Sequence, residues 1–484
     1  VSGASVRTRK NVWTLSGQND DLFWYGKAVA ALKQRPITDP TSWRYMAAVH
    51  GYPGHDADPF AVAGEAMPSG PDQTAFWNQC QHHSWFFLPW HRAYLAAFEQ
   101  IVADAVVQAG GPDGWALPYW NYDYKDPDPA LPSDNPGVDQ YRALPPAFQD
   151  DESALFVQQR DLPGETPPYI LPQDASLNCL THQGFDDPRP GDYGFGGPKT
   201  GFHHGSDGAE GWLEQVPHDS VHGDVGGFMG AFETAALDPI FWLHHANIDR
   251  LWEVWRLRYP RSANPADPAW LKPTPPFRLH DKSRNVWSFT PQDMLDTTKV
   301  LHGYRYDDVS DPLPHPAVQP HMVAAMAAPL PPELVAASDK TSIDIDAPST
   351  TVRVTFDDAA RKAATDRLKG ARPVRAIMNF ENITGSGGSS NIRVTIEAAG
   401  ASAGPPLLAG HISVFGLNLA SRAAGLHGGS GLTKTLDVSL ILERLQQGGW
   451  DGHALDVTFT PSRPGRRDAV ADDLKLGRIS IYAC

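Results

Sequence analysis

His82-His83-Ser84-Trp85-Phe86-Phe87-Leu88-Pro89-Trp90-His91-Arg92 is the stretch on which the fold turns. His82 and His91 are nine residues apart. On one continuous helix, at about 100° per residue, they would point about 180° apart. Pro89 breaks the chain between them, so His82 can lie on one element and His91 on the next, both aimed at one ion. A third ligand must then come from elsewhere in the chain. His50, at the end of the preceding helical pattern, is the choice, with His55 as its competitor.

Two further clusters follow. Pro217-His218-Asp219-Ser220-Val221-His222 places histidines at i and i+4, on one helical face, where they can chelate one metal. Asp238-Pro239-Ile240-Phe241-Trp242-Leu243-His244-His245-Ala246-Asn247-Ile248-Asp249-Arg250 can supply a last ligand. Imidazole suits copper, zinc, iron and nickel; neutral histidines without a ligating carboxylate or thiolate are more typical of copper or zinc than of iron.

Outward from these clusters, the first two thirds read as helices joined by long loops. Leu22, Tyr25, Val29 and Leu32 share one face after the cap residues Asn19 and Asp20. Asp39-Pro40 reads as a cap and first-turn proline ahead of Trp43, Met46, Val49 and His50. Pro89 opens a helix with His91, Leu95, Phe98 and Val102 on one stripe, and Asp238-Pro239 opens another. Residues 123–215 read mostly as ordered loop. Seven prolines between Pro312 and Pro332 mark a linker. Beyond it, apolar and polar residues alternate at Val352-Val354-Phe356, Ile392-Val394-Ile396, Leu436-Val438-Leu440, Leu455-Val457-Phe459 and Ile479-Ile481. Period-two runs between Gly/Ser/Pro turns predict a β-sandwich. The predicted organisation is a mainly α domain over 1–310, in which a helix bundle holds the metal site, a Pro-rich linker over 311–341, and an all-β sandwich over 342–484.

With 40 basic and 56 acidic residues the net charge is −16, which makes nucleic acid an unexpected partner. No apolar run is long enough to span a membrane. Three widely spaced cysteines, Cys80, Cys179 and Cys484, do not make a disulfide scaffold, and a cytoplasmic location is the expectation. Nineteen histidines and 15 tryptophans suggest an aromatic-rich metalloprotein.

His82, Phe87, His91-Arg92, Leu95 and Glu99 resemble the copper-A motif of tyrosinases, catechol oxidases and molluscan haemocyanins. Asp238 to Asp249 resembles their copper-B motif and places the ligand at His245, not His244; His218 and His222 match the first two copper-B ligands. Ala116 to Asn121 resembles a family segment between the two motifs, and Leu407 to Cys484 is similar to the β-sandwich of plant polyphenol oxidases. The resemblance implies two copper ions, held by His50, His82 and His91 and by His218, His222 and His245. It implies oxidation of monophenols or o-diphenols to o-quinones with O2; a homo-oligomer is compatible with the sequence.

Finer readings rest on the same resemblance. Cys80-Gln81-His82 is similar to the Cys-x-His in which fungal tyrosinases and molluscan haemocyanins form a thioether; the plant position for this cysteine holds Gly54 here. Glu214 corresponds to a glutamate that holds a water near the coppers, a base towards an incoming phenol. Asp219 stands where tyrosinases often carry Asn, a departure that leaves monophenol activity open. Gly223 leaves room beside the pocket, and Phe232 resembles the aromatic gate above copper A. Arg92, Asp238, Asn247 and Asp249 are expected to orient ligands or hold structure. His203, His204 and His244 carry no assigned role and are expected at the surface or as satisfied core histidines. The tail is expected to regulate, as in plant relatives where it covers the site. The alternatives are an o-aminophenol oxidase, a haemocyanin-like O2 carrier and a single-triad zinc hydrolase.

Overall fold

The computed structural model describes residues 6–54, 60, 62–123, 140–160, 170–186, 191–201, 208–260, 264–314, 333–345, 348–357, 375–386, 391–400, 405–423, 429–461 and 472–483. His55, His203, His204 and Cys484 lie outside them, as does 315–332 of the expected linker.

The helical domain is built on six helices: α1 (Asp21–Lys33), α2 (Trp43–His50), α3 (Gly70–Phe76), α4 (Phe87–Gln108), α5 (Ser220–Val225) and α6 (Pro239–Arg258). Asp20 caps α1, accepting from the Leu22 and Phe23 amides, and Leu22, Tyr25, Val29 and Leu32 are buried as their spacing predicts. The cap of α2 is Ser42, not Asp39; Asp39 instead accepts from the Thr41 amide, an Asx turn that delivers the chain to the helix. α4 begins at Phe87, so Pro89 lies inside its first turn, where its missing N–H costs nothing. His82 therefore precedes the helix and His91 stands on it. α4 and α6 pack together and are buried nearly all round, which marks them as the central pair. Asp238 caps α6, accepting from the Ile240 amide, and receives Arg160.

An ionic cluster ties the N-terminus to this pair. β1 (Arg7–Arg9) runs parallel to β4 (Tyr304–Tyr306). The fully buried Arg9 meets Glu99 of α4 and Asp249 of α6; Asp249 also takes Arg92 at 2.5 Å and the hydroxyls of Tyr304 and Tyr306. Each charge has an opposite partner, as burial demands. The hairpin β2 (Phe277–His280) and β3 (Val286–Phe289) completes the domain.

The C-terminal domain is antiparallel β. Its strands are β5 (Glu333–Ser338), β6 (Ile343–Asp344), β7 (Thr350–Phe356), β8 (Ala376–Ser386), β9 (Asn391–Ala398), β10 (Leu407–Ser413), β11 (Leu432–Asp437), β12 (Ala454–Pro461), β13 (Asp472–Leu476) and β14 (Arg478–Ala483). Among the described residues they form one ten-stranded sheet, in the order β10-β9-β12-β7-β5-β14-β8-β13-β6, with β11 on β8. β10 lies against β11, so the sheet rolls round its own core of Val354, Val394, Ile396, Leu455, Val457 and Ile481. The all-β expectation holds, with one rolled sheet enclosing the core. Two details differ from the sequence reading. β5 lies within the stretch expected to be linker, so the sheet starts at residue 333 and not at 342. The Leu436-Val438-Leu440 alternation is interrupted: β11 stops at Asp437, a helix runs over Ser439–Gln447, and Leu440 faces solvent.

Candidate metal centre

Two groups of buried histidines face each other between α2, α4, α5 and α6. In one, the ligand atoms of His50, His82 and His91 lie within 4.8 Å of one another; in the other, so do those of His218, His222, His244 and His245. The His91 and His245 rings stack across the gap at 4.5 Å, with 12° between their planes.

Local structure aims each ring. His50 ends α2, and its Nδ1 donates to the Phe232 carbonyl at 3.1 Å. Gly51 makes that approach feasible: a Cβ there would sit 2.7 Å from Glu233 Cα and 2.8 Å from the Phe232 oxygen. His91 Nδ1 donates to Phe87 O, one turn back on α4, at 2.8 Å. His222 Nδ1 donates to Met229 O at 2.7 Å. His218 Nδ1 donates at 2.7 Å to a side chain, Asp219 Oδ1. With Nδ1 a donor, Nε2 is the bare nitrogen in each ring. The Nε2 atoms of His50, His91, His218 and His222, and both ring nitrogens of His245, are buried without a protein partner. Orphaned acceptors converging in this way are costly unless a cation takes them, so the donor set fits a metal pair. Burial and the neighbouring imidazoles keep the rings neutral: His91 is pushed down to about 3, His222 to about 4, and His50, His82, His218 and His245 fall well below the ordinary histidine range.

His244 lies in the core, one of the two places expected for it, but not as a satisfied histidine: both its ring nitrogens are buried without a protein partner. It is fully buried and close to His218 and His222. Neighbours on a helix diverge by about 100°: His245 stacks on His91, while His244 lies 5.0 Å from His222, 5.5 Å from His218 and 6.0 Å from Tyr122.

Phe232 packs against His50 at 5.0 Å and His82 at 4.8 Å, on the copper-A side where a gate was expected. Glu214 belongs to an irregular turn, Glu214–Asp219, broken at Val216. Its Oε1 accepts from the His83 amide at 2.9 Å and its Oε2 is buried without a partner. Burial pushes this carboxyl well above the usual range, and Glu210 and Asp219 add to the effect. Cys80 is buried, and burial raises its thiol. Asn247 binds Arg250, and Arg92, Asp238 and Asp249 bind the framework described above.

The sequence reading missed three side chains here. Phe415, from the C-terminal domain, belongs to the helical core and stacks on His222 at 4.2 Å and 17°. Lys434 of β11 reaches Glu210 and Asp219. Glu210 in turn meets His83 Nε2 at 2.7 Å. The two C-terminal residues lie far in sequence from the histidines of both groups, and Glu210 carries no motif; only the docking of the C-terminal domain brings the three together.

Two neutral histidine groups facing each other fit a type-3 dicopper centre. The model of the common central domain of tyrosinase matches residues 40–258, and a model described as a domain of unknown function matches 331–484. The chain is 36% identical to tyrosinase HcTyr1 of a Hahella species over 99% of both chains. It is 28% identical to the chloroplastic polyphenol oxidase A1 of Vicia faba, over 62% of this chain and 47% of that protein, so it spans about half the length of the plant relative. In solved structures, latent apple tyrosinase superposes with a TM-score of 0.63 at 21% identity, covering 100% of this chain and 98% of that one. A functional unit of octopus haemocyanin superposes with 0.53 at 17%, covering 99% of each. At those identities the two structures speak for the fold alone. The chain belongs to the tyrosinase family, and is a copper-dependent oxidoreductase with two copper ions. Among the described residues, no helix is long and apolar enough to cross a membrane.

Proposed function

We propose that the chain oxidises monophenols and o-diphenols to o-quinones, with His50, His82 and His91 holding copper A and His218, His222 and His245 holding copper B. The observation that carries this is the convergence of unpartnered Nε2 atoms in two facing groups. The copper pair supplies O2 binding and electron transfer. In balance, two catechols give up four electrons and four protons, and one O2 becomes two waters. The protein aims the ligands, excludes water and handles protons. Glu214, with one oxygen fixed by His83 and the other unpartnered, is the base that takes the phenol proton, directly or through a water. The Phe232 ring limits how a substrate ring approaches copper A. Cys80, two residues before His82, would be the partner for a thioether that fixes that ring: the S–H and a ring C–H bond break, an S–C bond forms, and O2 takes the two electrons and two protons, so peptide mass would register the loss of two hydrogens.

O2 uptake by the copper-loaded chain, with a simple monophenol and a catechol as control, tests the activity. Uptake with both supports the proposal; uptake with catechol alone restricts it to diphenols and points to Asp219 or Phe232.

A second reading is favoured by Phe415. Its ring occupies the face of His222 and lies 6.2 Å from Phe232, where a substrate ring would have to enter. We infer that this is a covered form of the enzyme, with the C-terminal domain as the cover; the similar apple structure is likewise of a latent form.

A further inference from the structure

Phe415 is a side chain a cover would need; Lys434 is not. Lys434 stands on β11, yet its ammonium is buried in the helical domain, with 1% of the side chain exposed. It donates to both oxygens of Glu210, at 2.7 and 2.6 Å, and to Asp219 Oδ2 at 2.6 Å. The other oxygen of Asp219 accepts a hydrogen bond from His218 Nδ1. A continuous chain of charge-assisted bonds thus runs from the C-terminal sheet to a copper-B histidine. Its surroundings hold it in register: Thr435 N donates to Gln215 Oε1 at 2.7 Å, Ser413 Oγ donates to the Asp219 carbonyl at 2.9 Å, and Thr433 N donates to Gly208 O at 3.1 Å.

The physical consequence follows from burial. Asp219 and Glu210 are acids in a buried interior, and a buried charge without a partner is strongly unfavourable. Within the helical domain, Asp219 has His218 and Glu210 has His83. Both are imidazoles, so the lasting opposite charge between the two acids is Lys434. A carboxylate oriented in this way fixes the tautomer and direction of a ligating histidine.

We propose that Lys434 is a positioning residue for copper B: it balances and orients Asp219, which aims His218, so that the C-terminal domain is part of the copper-B site as well as its cover. The inference rests on the ligand reading above and deepens it. It also reads the Asp219 departure. An Asn at 219 could offer His218 its oxygen and Glu210 its amide hydrogens with no charge to balance; an Asp needs the lysine.

The test uses the full-length chain. Lys434→Met is expected to weaken retention of one of the two coppers about 10–100-fold in a chelator challenge. In the cupric form it should show the paramagnetic resonance signal of a single Cu(II), which a coupled pair does not give. Adding Asp219→Asn to Lys434→Met is expected to restore two coppers per chain and abolish that signal. Arg375→Ala, which loosens the exposed side of the same interface at Asp192 and Asp437, should leave the copper content unchanged. The proposal is overturned if Lys434→Met keeps both coppers as tightly as the parent. It is equally overturned if the double variant loses copper as the single one does, or if neither folds. His218→Ala separates the two readings: if that variant retains both coppers, the ligand assignment itself is wrong.

Discussion

His50 and His91 are steered by backbone carbonyls, Phe232 O and Phe87 O, that belong to the helical domain. On the other side of the gap His218 is steered by a carboxylate whose counter-charge arrives from the C-terminal sheet, and His222 is stacked under a phenylalanine from the turn that follows β10. The copper-A half is thus braced by rigid peptide geometry. The copper-B half has one such carbonyl, Met229 O on His222, and adds side chains across a domain boundary. A backbone carbonyl within the helical domain cannot be removed by substitution or by a domain shift, whereas a Lys–Asp–His chain can. Conformational control of this enzyme is therefore expected to act through copper B.

The largest effect should come from the ligands, and it sharpens the contrast. His91→Ala and His245→Ala should each lose one copper and lower catechol oxidation by roughly a thousandfold or more. His91→Ala should leave the docking of the C-terminal domain, followed by limited proteolysis, as in the parent. Next, Glu214→Gln keeps the shape and removes the base: monophenol oxidation should fall about 10²- to 10⁴-fold while catechol oxidation changes little. Equal losses with both substrates would reduce Glu214 to a structural role. Phe415→Ala tests the cover. Catechol turnover should rise about tenfold if the uncovered state is a minor one, with two coppers still bound; unchanged turnover would leave Phe415 as packing alone.

A smaller effect is expected at the seam itself. A Cβ on Gly223 would lie 2.3 Å from Asn391 Oδ1 and 3.2 Å from Ser413 Oγ, and Asn391 is pinned to Ser220 O and Asp224. Gly223→Ala should cost about 1–3 kcal/mol, visible as a lower melting temperature. The smallest effect concerns pH. Burial raises Asp192, but hydrogen bonding to His182, the charge of Arg375 and the Trp212 N–H together hold it below the usual carboxylate range. Burial also pushes His182 down, so Arg375, on the C-terminal side, is the lasting cation. A depressed carboxylate contributes stability above its unfolded value, about 3.9, and loses it as pH falls through the folded one. The seam should therefore weaken below pH about 4. Arg375→Ala should blunt that dependence by less than about 1 kcal/mol, since Arg375 is a third exposed and screened. A pH dependence that survives intact in this variant would place the titrating group elsewhere.

Much of the site was legible because its residues are local. His218 and His222 share a helical face by spacing, and Asp238-Pro239 announces the helix that carries His245. His50 could be placed only against His55, and it is His50 that lies with His82 and His91, because α2 ends where α4 passes. His244 lies in the core, as one of its two alternatives had it, but spacing could not show that its ring nitrogens would be left without a protein partner beside His218 and His222. Leu440 failed in the opposite direction, since apolar alternation cannot report that a strand has already ended at Asp437.

The sequence by itself determined the helical metal core, the all-β tail, the family and the histidine motifs, since caps, periodicities and motifs are properties of neighbouring residues. The tertiary structure alone decided which ring covers His222, what balances Asp219 and where the rolled sheet begins. Those depend on contacts between residues about two hundred positions apart, such as Lys434 with Asp219 and Phe415 with His222, and the burial that gives such contacts their strength exists only once the two domains have closed on each other.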